Sequence, residues 1–280
     1  MNIKDLSHKQ IVTYSVSAVL ILFALSLVLA YFTPFRDPVS VAFKRLYPAA
    51  LIGDRVVSVN DIEEGMAIAR RFNVSDAKAS VIQNEKAFAL AKEFNLNIDD
   101  DELADEMRFY TKGHEDEYQQ LLENYYDGSE HWFYKYAVTP RVVDAALKMK
   151  YYNDIKANSP EYEKAMKALD RIQKGEKFED IAKAESADKA SGQIGGDLGF
   201  YEAGQLIPEL EDQVSVSAVG DVRRDVIITR LGYHLIYPVE YSTIDGKKMW
   251  HLKHILYVPE GYEEWFSQQE SRINTKFLKG

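Results

Sequence analysis

Leu231-Gly-Tyr-His-Leu-Ile236 and His251-Leu-Lys-His-Ile-Leu-Tyr257 are the two stretches on which the fold turns. Each lies in a run rich in β-branched and aromatic residues, Val226 to Val239 and Met249 to Val258, and Asp245-Gly246 between them is hairpin-turn chemistry. Side chains alternate along a strand, so loop length decides on which face each histidine lands. A two-residue turn at Asp245-Gly246 in an otherwise regular hairpin sets His254 opposite Tyr237, on the face away from His234. A three-residue loop, Ile244-Asp-Gly246 with Gly246 left-handed, sets His254 opposite Ile236, on the face of His234 and diagonal to it. A site shared by the two histidines therefore predicts an odd loop or a bulge.

Upstream the chain reads Phe178-Glu-Asp-Ile-Ala182, Ser186-Ala-Asp188 with Ser191, Gly195-Gly-Asp-Leu-Gly199, Gly204-Gln-Leu-Ile-Pro-Glu-Leu-Glu211, and then Thr229 to Ile236. One such piece arises by chance; these five in order, with the His251–Tyr257 strand as a sixth, do not. From Pro160 to about Val258 they resemble the parvulin-type (PpiC, rotamase) peptidyl-prolyl isomerases, whose opening strand carries one central histidine and whose closing strand carries the other. Here the opening strand stands last. The resemblance thus implies an α+β fold, a four-stranded antiparallel sheet with flanking helices, circularly permuted. Leu231 replaces the usual aromatic, and Leu206 and Leu210 replace the usual Met and Phe.

The resemblance also implies roles. His234 and His254 are the paired histidines, joined to the hydroxyl of Thr229; Asp188 stands near the substrate carbonyl; Leu206, Ile207 and Leu210 surround a slot for the proline ring. Rotation about a peptide bond faces a barrier of about 18–20 kcal/mol, and X-Pro isomerisation takes tens to hundreds of seconds uncatalysed. No covalent bond changes, so a catalyst needs only to bind the twisted amide better than either planar form. No metal or cofactor is implied. The histidines also admit a purely structural reading, and Asp188 a turn with nearby amides. His8, His114, His131 and His251 match nothing in the family and read as solvent-facing. Gly195-Gly196 reads as turn chemistry, since no strand-loop-helix ending in Lys-Ser or Lys-Thr follows to make a phosphate cradle.

With 280 residues, the chain has room for a membrane segment and one or two domains. A net charge of −10 argues against nucleic acid as partner. The absence of cysteine excludes disulfides and thiolate metal sites. Ile11 to Phe32 is 22 residues without a charge, long enough for a helix to cross a hydrocarbon core of about 30 Å, with Tyr14 and Tyr31 near its ends. Val28-Leu-Ala30 offers a competing cleavage site, but the apolar run exceeds the roughly 7–15 residues of a signal peptide's core. Lys4 and Lys9 before the span and Arg36, Lys44 and Arg45 after it leave its orientation open. The family resemblance implies that the bulk lies outside the cytoplasm, at a bacterial cell membrane.

Four regions follow: 1–33, a stub and transmembrane anchor; 34–157, mostly helical; 158–258, the isomerase-like part; and 259–280, a helix packing back. Ala49 to Val59 reads as two short strands about Gly53-Asp54, with Asn60 as a helix cap. This opening resembles the N-terminal chaperone region of SurA/PrsA-type foldases. Ser75-Asp76 caps a helix to about Phe94, Asp99 to Glu102 opens another, a third begins near His114, and Thr139-Pro140 and Ser159-Pro160 each read as a cap with proline at the first helical position. The aromatics Tyr125, Tyr126, Trp132, Phe133, Tyr134 and Tyr136 suit either a small helical core or a peptide-binding surface. The expected function is a membrane-anchored foldase that isomerises X-Pro bonds in unfolded, exported polypeptides. The alternatives are a catalytically inactive client-binding chaperone and an envelope scaffold.

Overall fold

The computed structural model describes residues 44–278, which fall into two compact units, 44–85 with 274–278, and 86–273. The apolar stretch 11–32 lies outside the described residues; among those described, no helix is long and apolar enough to cross a membrane.

In the first unit β1 (Pro48–Ile52) and β2 (Arg55–Ser58) form the expected antiparallel pair, followed by α1 (Val59–Arg71). The cap of α1 is Ser58 rather than Asn60. Ser58 Oγ accepts from Asp61 N at 3.1 Å while the Asp61 carboxylate accepts from Ser58 N at 3.2 Å, a reciprocal arrangement that satisfies two orphan donors at once. β7 (Thr275–Phe277) pairs with β1, so the sheet runs β2-β1-β7. Residues 259–280 thus contribute a strand here as well as the expected helix.

The second unit begins inside α2 (Ala77–Glu93) and continues through α3 (Asp100–Thr111), α4 (Glu115–Tyr125) and α5 (Glu130–Phe133). Asp99 caps α3 by accepting from Glu102 N at 3.0 Å. A π-helical turn, Tyr134–Val138, then runs straight into α6 (Thr139–Ile155). Thr139 is therefore no cap: the backbone before it is already helical, and its hydroxyl donates to Tyr134 O at 2.8 Å. Phe133, only 1 % exposed, is met edge-on by Tyr110, Tyr118 and Tyr126, which makes this part of the aromatic cluster core.

A 3₁₀ turn, Lys156–Asn158, links α6 to α7 (Pro160–Gln173), which Ser159 caps as expected. Residue 157 thus lies inside the second unit. The helices and the sheet share a core there: the Tyr233 hydroxyl donates to Tyr152 O at 2.8 Å, and the two rings pack at 6.0 Å. Then follow α8 (Phe178–Glu185), α9 (Lys189–Gly192), β3 (Asp197–Glu202), α10 (Pro208–Ser215), β4 (Ile227–Thr229), β5 (Gly232–Ile244), β6 (Lys247–Tyr257) and α11 (Tyr262–Arg272). α11 packs on α6, with the Tyr262 hydroxyl donating to Asp144 at 2.7 Å. The sheet is antiparallel throughout, in the order β3-β6-β5-β4.

Candidate active site

The hairpin of β5 and β6 closes with a two-residue turn. Ile244 pairs with Lys247, and Asp245 and Gly246 both have positive φ, 51° and 78°. The odd loop is therefore absent, and the extra residue sits elsewhere. Register shifts between Pro238 and Glu240, which leaves Val239 bulged and sets His254 opposite Ile236. Proline has no N–H for a ladder bond, so a bulge is where a central strand tolerates it.

His234 and His254 consequently share a face, their Nδ1 atoms 3.3 Å apart. From there a chain of hydrogen bonds runs both ways. His254 Nε2 meets Asp188 Oδ2 at 2.9 Å and Ser191 Oγ at 3.1 Å; His234 Nε2 meets Thr229 Oγ1 at 2.9 Å; and Thr229 Oγ1 accepts from Leu231 N at 3.0 Å. The carboxylate orders the protons. Asp188 only accepts when ionised, so His254 donates from Nε2 and accepts at Nδ1; His234 then donates from Nδ1, and its Nε2 takes the proton of Thr229.

The electrostatics agree with two neutral rings. Burial pushes His234 down to about 3, and proximity to His254 adds to the effect. Burial also lowers His254, against the opposing pull of Asp188. Asp188 feels burial, which would raise it, but hydrogen bonds from Ser191 and His254 outweigh that and hold it at about 2. Its side chain remains 28 % exposed, which makes it the open end of an otherwise buried relay.

Local chemistry places Asp188. It caps the short α9, accepting from Ala190 N at 3.0 Å and from the Ser191 hydroxyl at 2.6 Å, so the turn and the contact to His254 coexist. The loop after α9 brings Gly196 against β6. Gly196 O accepts from His254 N at 2.8 Å, and a Cβ on Gly196 would lie 2.3 Å from His254 O, so only glycine fits.

Leu206 and Leu210 are 6 % and 4 % exposed and belong to a cluster with Val214, Ile227, Ile236 and Leu252. Ile207, Leu198 and Tyr201 are partly buried against it. The three expected slot residues thus gather beneath the sheet end that bears the relay, with Leu206 and Leu210 enclosed and Ile207 more open.

Sequence reasoning missed three groups. Ser191 was visible only as part of a motif, although it touches both Asp188 and His254. His251 is not solvent-facing: its Nε2 lies 2.8 Å from Asp197 Oδ1, and its ring stacks on Phe200 at 4.7 Å. Arg230, next to Thr229, pairs with the fully buried Glu106 of α3 at 2.7 Å and with Glu209 of α10 at 2.7 Å. Ser191 and Asp197 stand at motif positions; nothing local pointed to Arg230 or Glu106.

Residues 145–240 match the rotamase family described as the PPIC-type PPIASE domain. Foldase protein PrsA 2 of Bacillus cereus is 30 % identical over 152 residues, 50 % of this chain and 53 % of that protein. Chaperone SurA of Nitrosospira multiformis is 32 % identical over 93 residues, 33 % of this chain and 21 % of that one. Periplasmic chaperone PpiD of Haemophilus influenzae is 38 % identical over 69 residues, 25 % and 11 % of the two chains. The chain spans about half or less of the length of these relatives.

Proposed function

We propose that the PPIC-type rotamase domain carried by this chain makes it a peptidyl-prolyl cis-trans isomerase, acting outside the cytoplasm on exported polypeptides and also holding them as a chaperone. The observation that carries this reading is the relay Asp188–His254–His234–Thr229 on one face of the sheet. Planar amide resonance places negative charge on the carbonyl oxygen, and twisting the bond removes it. A fixed carboxylate at Asp188, beside that oxygen, raises the planar forms relative to the twisted one. His254 and His234 are buried and neutral, and they hold the carboxylate in place. Apolar surface at Leu206, Ile207 and Leu210 receives the proline ring and excludes water.

The strand order supports a permuted domain. β6, with one histidine, lies between β3 and β5, and the family match ends at residue 240, before β6 begins. In this reading 158–258 is the isomerase, 34–157 a chaperone-like helical region, and 259–280 a closing segment. The stretch 11–32 anchors the chain in the membrane with the bulk on the extracytoplasmic side; the foldase and periplasmic-chaperone names of its relatives support that side.

One observation favours client binding without catalysis: Leu206 and Leu210 are nearly enclosed. Exchange NMR on a panel of X-Pro peptides, with the full chain in detergent and an Asp188→Ala control, separates the two readings. Acceleration that the control loses supports the isomerase. Suppressed aggregation of an unfolded client without acceleration supports the inactive chaperone.

A further inference from the structure

Arg230 is the first residue of the turn between β4 and β5, directly after Thr229, whose hydroxyl ends the relay at His234. Its side chain is 12 % exposed and forks to two carboxylates. Nε reaches Glu209 of α10 at 2.7 Å, and Nη2 reaches the fully buried Glu106 of α3 at 2.7 Å. Arg141, more than half exposed, lies farther from Glu106, at 3.6 Å.

Two carboxylates round one buried guanidinium are costly to desolvate, and apolar side chains of like volume commonly give equal or greater stability. What the guanidinium adds is direction, since its planar fork fixes the angle between the groups it holds. Those groups belong to α10 and α3. Burial, with the charges of Asp99 and Glu209, raises Glu102, so like charge gathers where α3 meets the start of α10. Arg230 offsets it from the side of the sheet.

The expected proline slot is carried by one short piece of chain. Glu211 accepts from Gly204 N at 2.7 Å, which ties the loop bearing Leu206 and Ile207 to α10, and Leu210 directly follows Glu209. At its far end α10 is held by Arg223, whose Nη1 donates to Gln213 O at 2.9 Å and whose backbone N donates to Ile236 O at 2.9 Å. With that end held, the Glu209–Arg230 pair decides how far the slot end of α10 stands from the turn that carries Thr229.

Building on the isomerase reading, we propose that Arg230 is a positioning residue: through Glu209 it sets the proline slot at a fixed distance from the relay, with Glu106 holding the guanidinium from behind. It touches no reacting atom and acts through Leu206, Ile207 and Leu210.

Glu209→Ala in the full chain removes the tie and leaves Arg230 with Glu106, a balanced pair. Exchange NMR on an X-Pro peptide is expected to show kcat lowered about tenfold with KM changed less than about twofold, because misplacing groups around a bound substrate costs turnover more than affinity. Glu209→Gln, which keeps an acceptor for Nε, recovers part of that loss. Amide hydrogen exchange gives a readout without catalysis: residues 204–211 exchange faster in Glu209→Ala while β5 and β6 do not, whereas general destabilisation quickens all of them. Unchanged kcat in a folded Glu209→Ala overturns the proposal, and so does uniform quickening. Should the unaltered chain isomerise no peptide, the isomerase reading fails on its own; the tie then stands if exchange quickens only at 204–211 and falls if it does not. Arg230→Lys, which keeps the charge and loses the fork, serves with the same expectation should Glu209→Ala lose its fold by circular dichroism.

Discussion

His234 and His254 meet Nδ1 to Nδ1 at 3.3 Å because Val239 is bulged out of β5. With the two-residue turn and a regular ladder, His254 would face the other side of the sheet. One unpaired residue therefore decides whether the relay exists, and the relay's proton order follows from the carboxylate at its open end.

That order is directly observable. Long-range ¹H–¹⁵N NMR near pH 7 is expected to show both rings neutral, His234 protonated at Nδ1 and His254 at Nε2. A His254 protonated at Nδ1 would contradict acceptance by an ionised Asp188.

Stability should fall on acidification. Unfolded histidine takes a proton near 6.5, whereas His234 is pushed down to about 3, so stability is complete above about pH 6.5 and is lost as pH falls toward 3. Asp188, lowered from 3.8 to about 2, adds a loss of the same sign below about pH 4. Urea midpoints measured in pH steps are expected to slope downward over this whole range. His234→Asn should flatten the part between about 6.5 and 4.

Two glycines with nearly the same φ separate conformational cost from close approach. Gly196 (φ 82°) would place a Cβ 2.3 Å from His254 O, while nothing lies within 4 Å of a Cβ at Gly199 (φ 78°). Gly199→Ala should lose about 1–2 kcal/mol, the left-handed penalty alone. Gly196→Ala should lose clearly more, since the backbone of β6 must move. Equal losses by denaturant titration would show that the contact is not close-packed.

Glu106→Ala strips the buried partner from Arg230 and should destabilise the second unit by about 3 kcal/mol. Pairing it with Arg230→Met removes a buried cation left with Glu209 alone and is expected to recover part of that loss, a non-additivity readable in a double-mutant cycle. Strict additivity would mean that the two groups do not interact.

Much of the fold was legible because its signals are local. Ser159-Pro160 and Asp99 are caps that act within one turn, and the β1–β2 pair is announced by its turn residues. The motif series from Phe178 to Ile236 marked the relay residues His234, Thr229 and Asp188 before any register was known. The bulge beside Pro238 was not read from the sequence; the register revealed it, at a place where a central strand tolerates proline. Thr139-Pro140 misled because the same dipeptide that starts one helix can sit inside another when a π-helical turn precedes it.

By itself, the sequence marked, through its motif series, the residues that meet in the relay, and it determined which stretches form the hairpin, because alternation, capping and turn preference act over a few neighbouring residues. Only the tertiary structure decided that the two histidines face one another, that His251 joins Asp197, that Glu106 reaches Arg230 and that Leu206 and Leu210 are enclosed. Each of those depends on a partner far along the chain, and register, burial and charge pairing are properties of the packed whole that no local window contains.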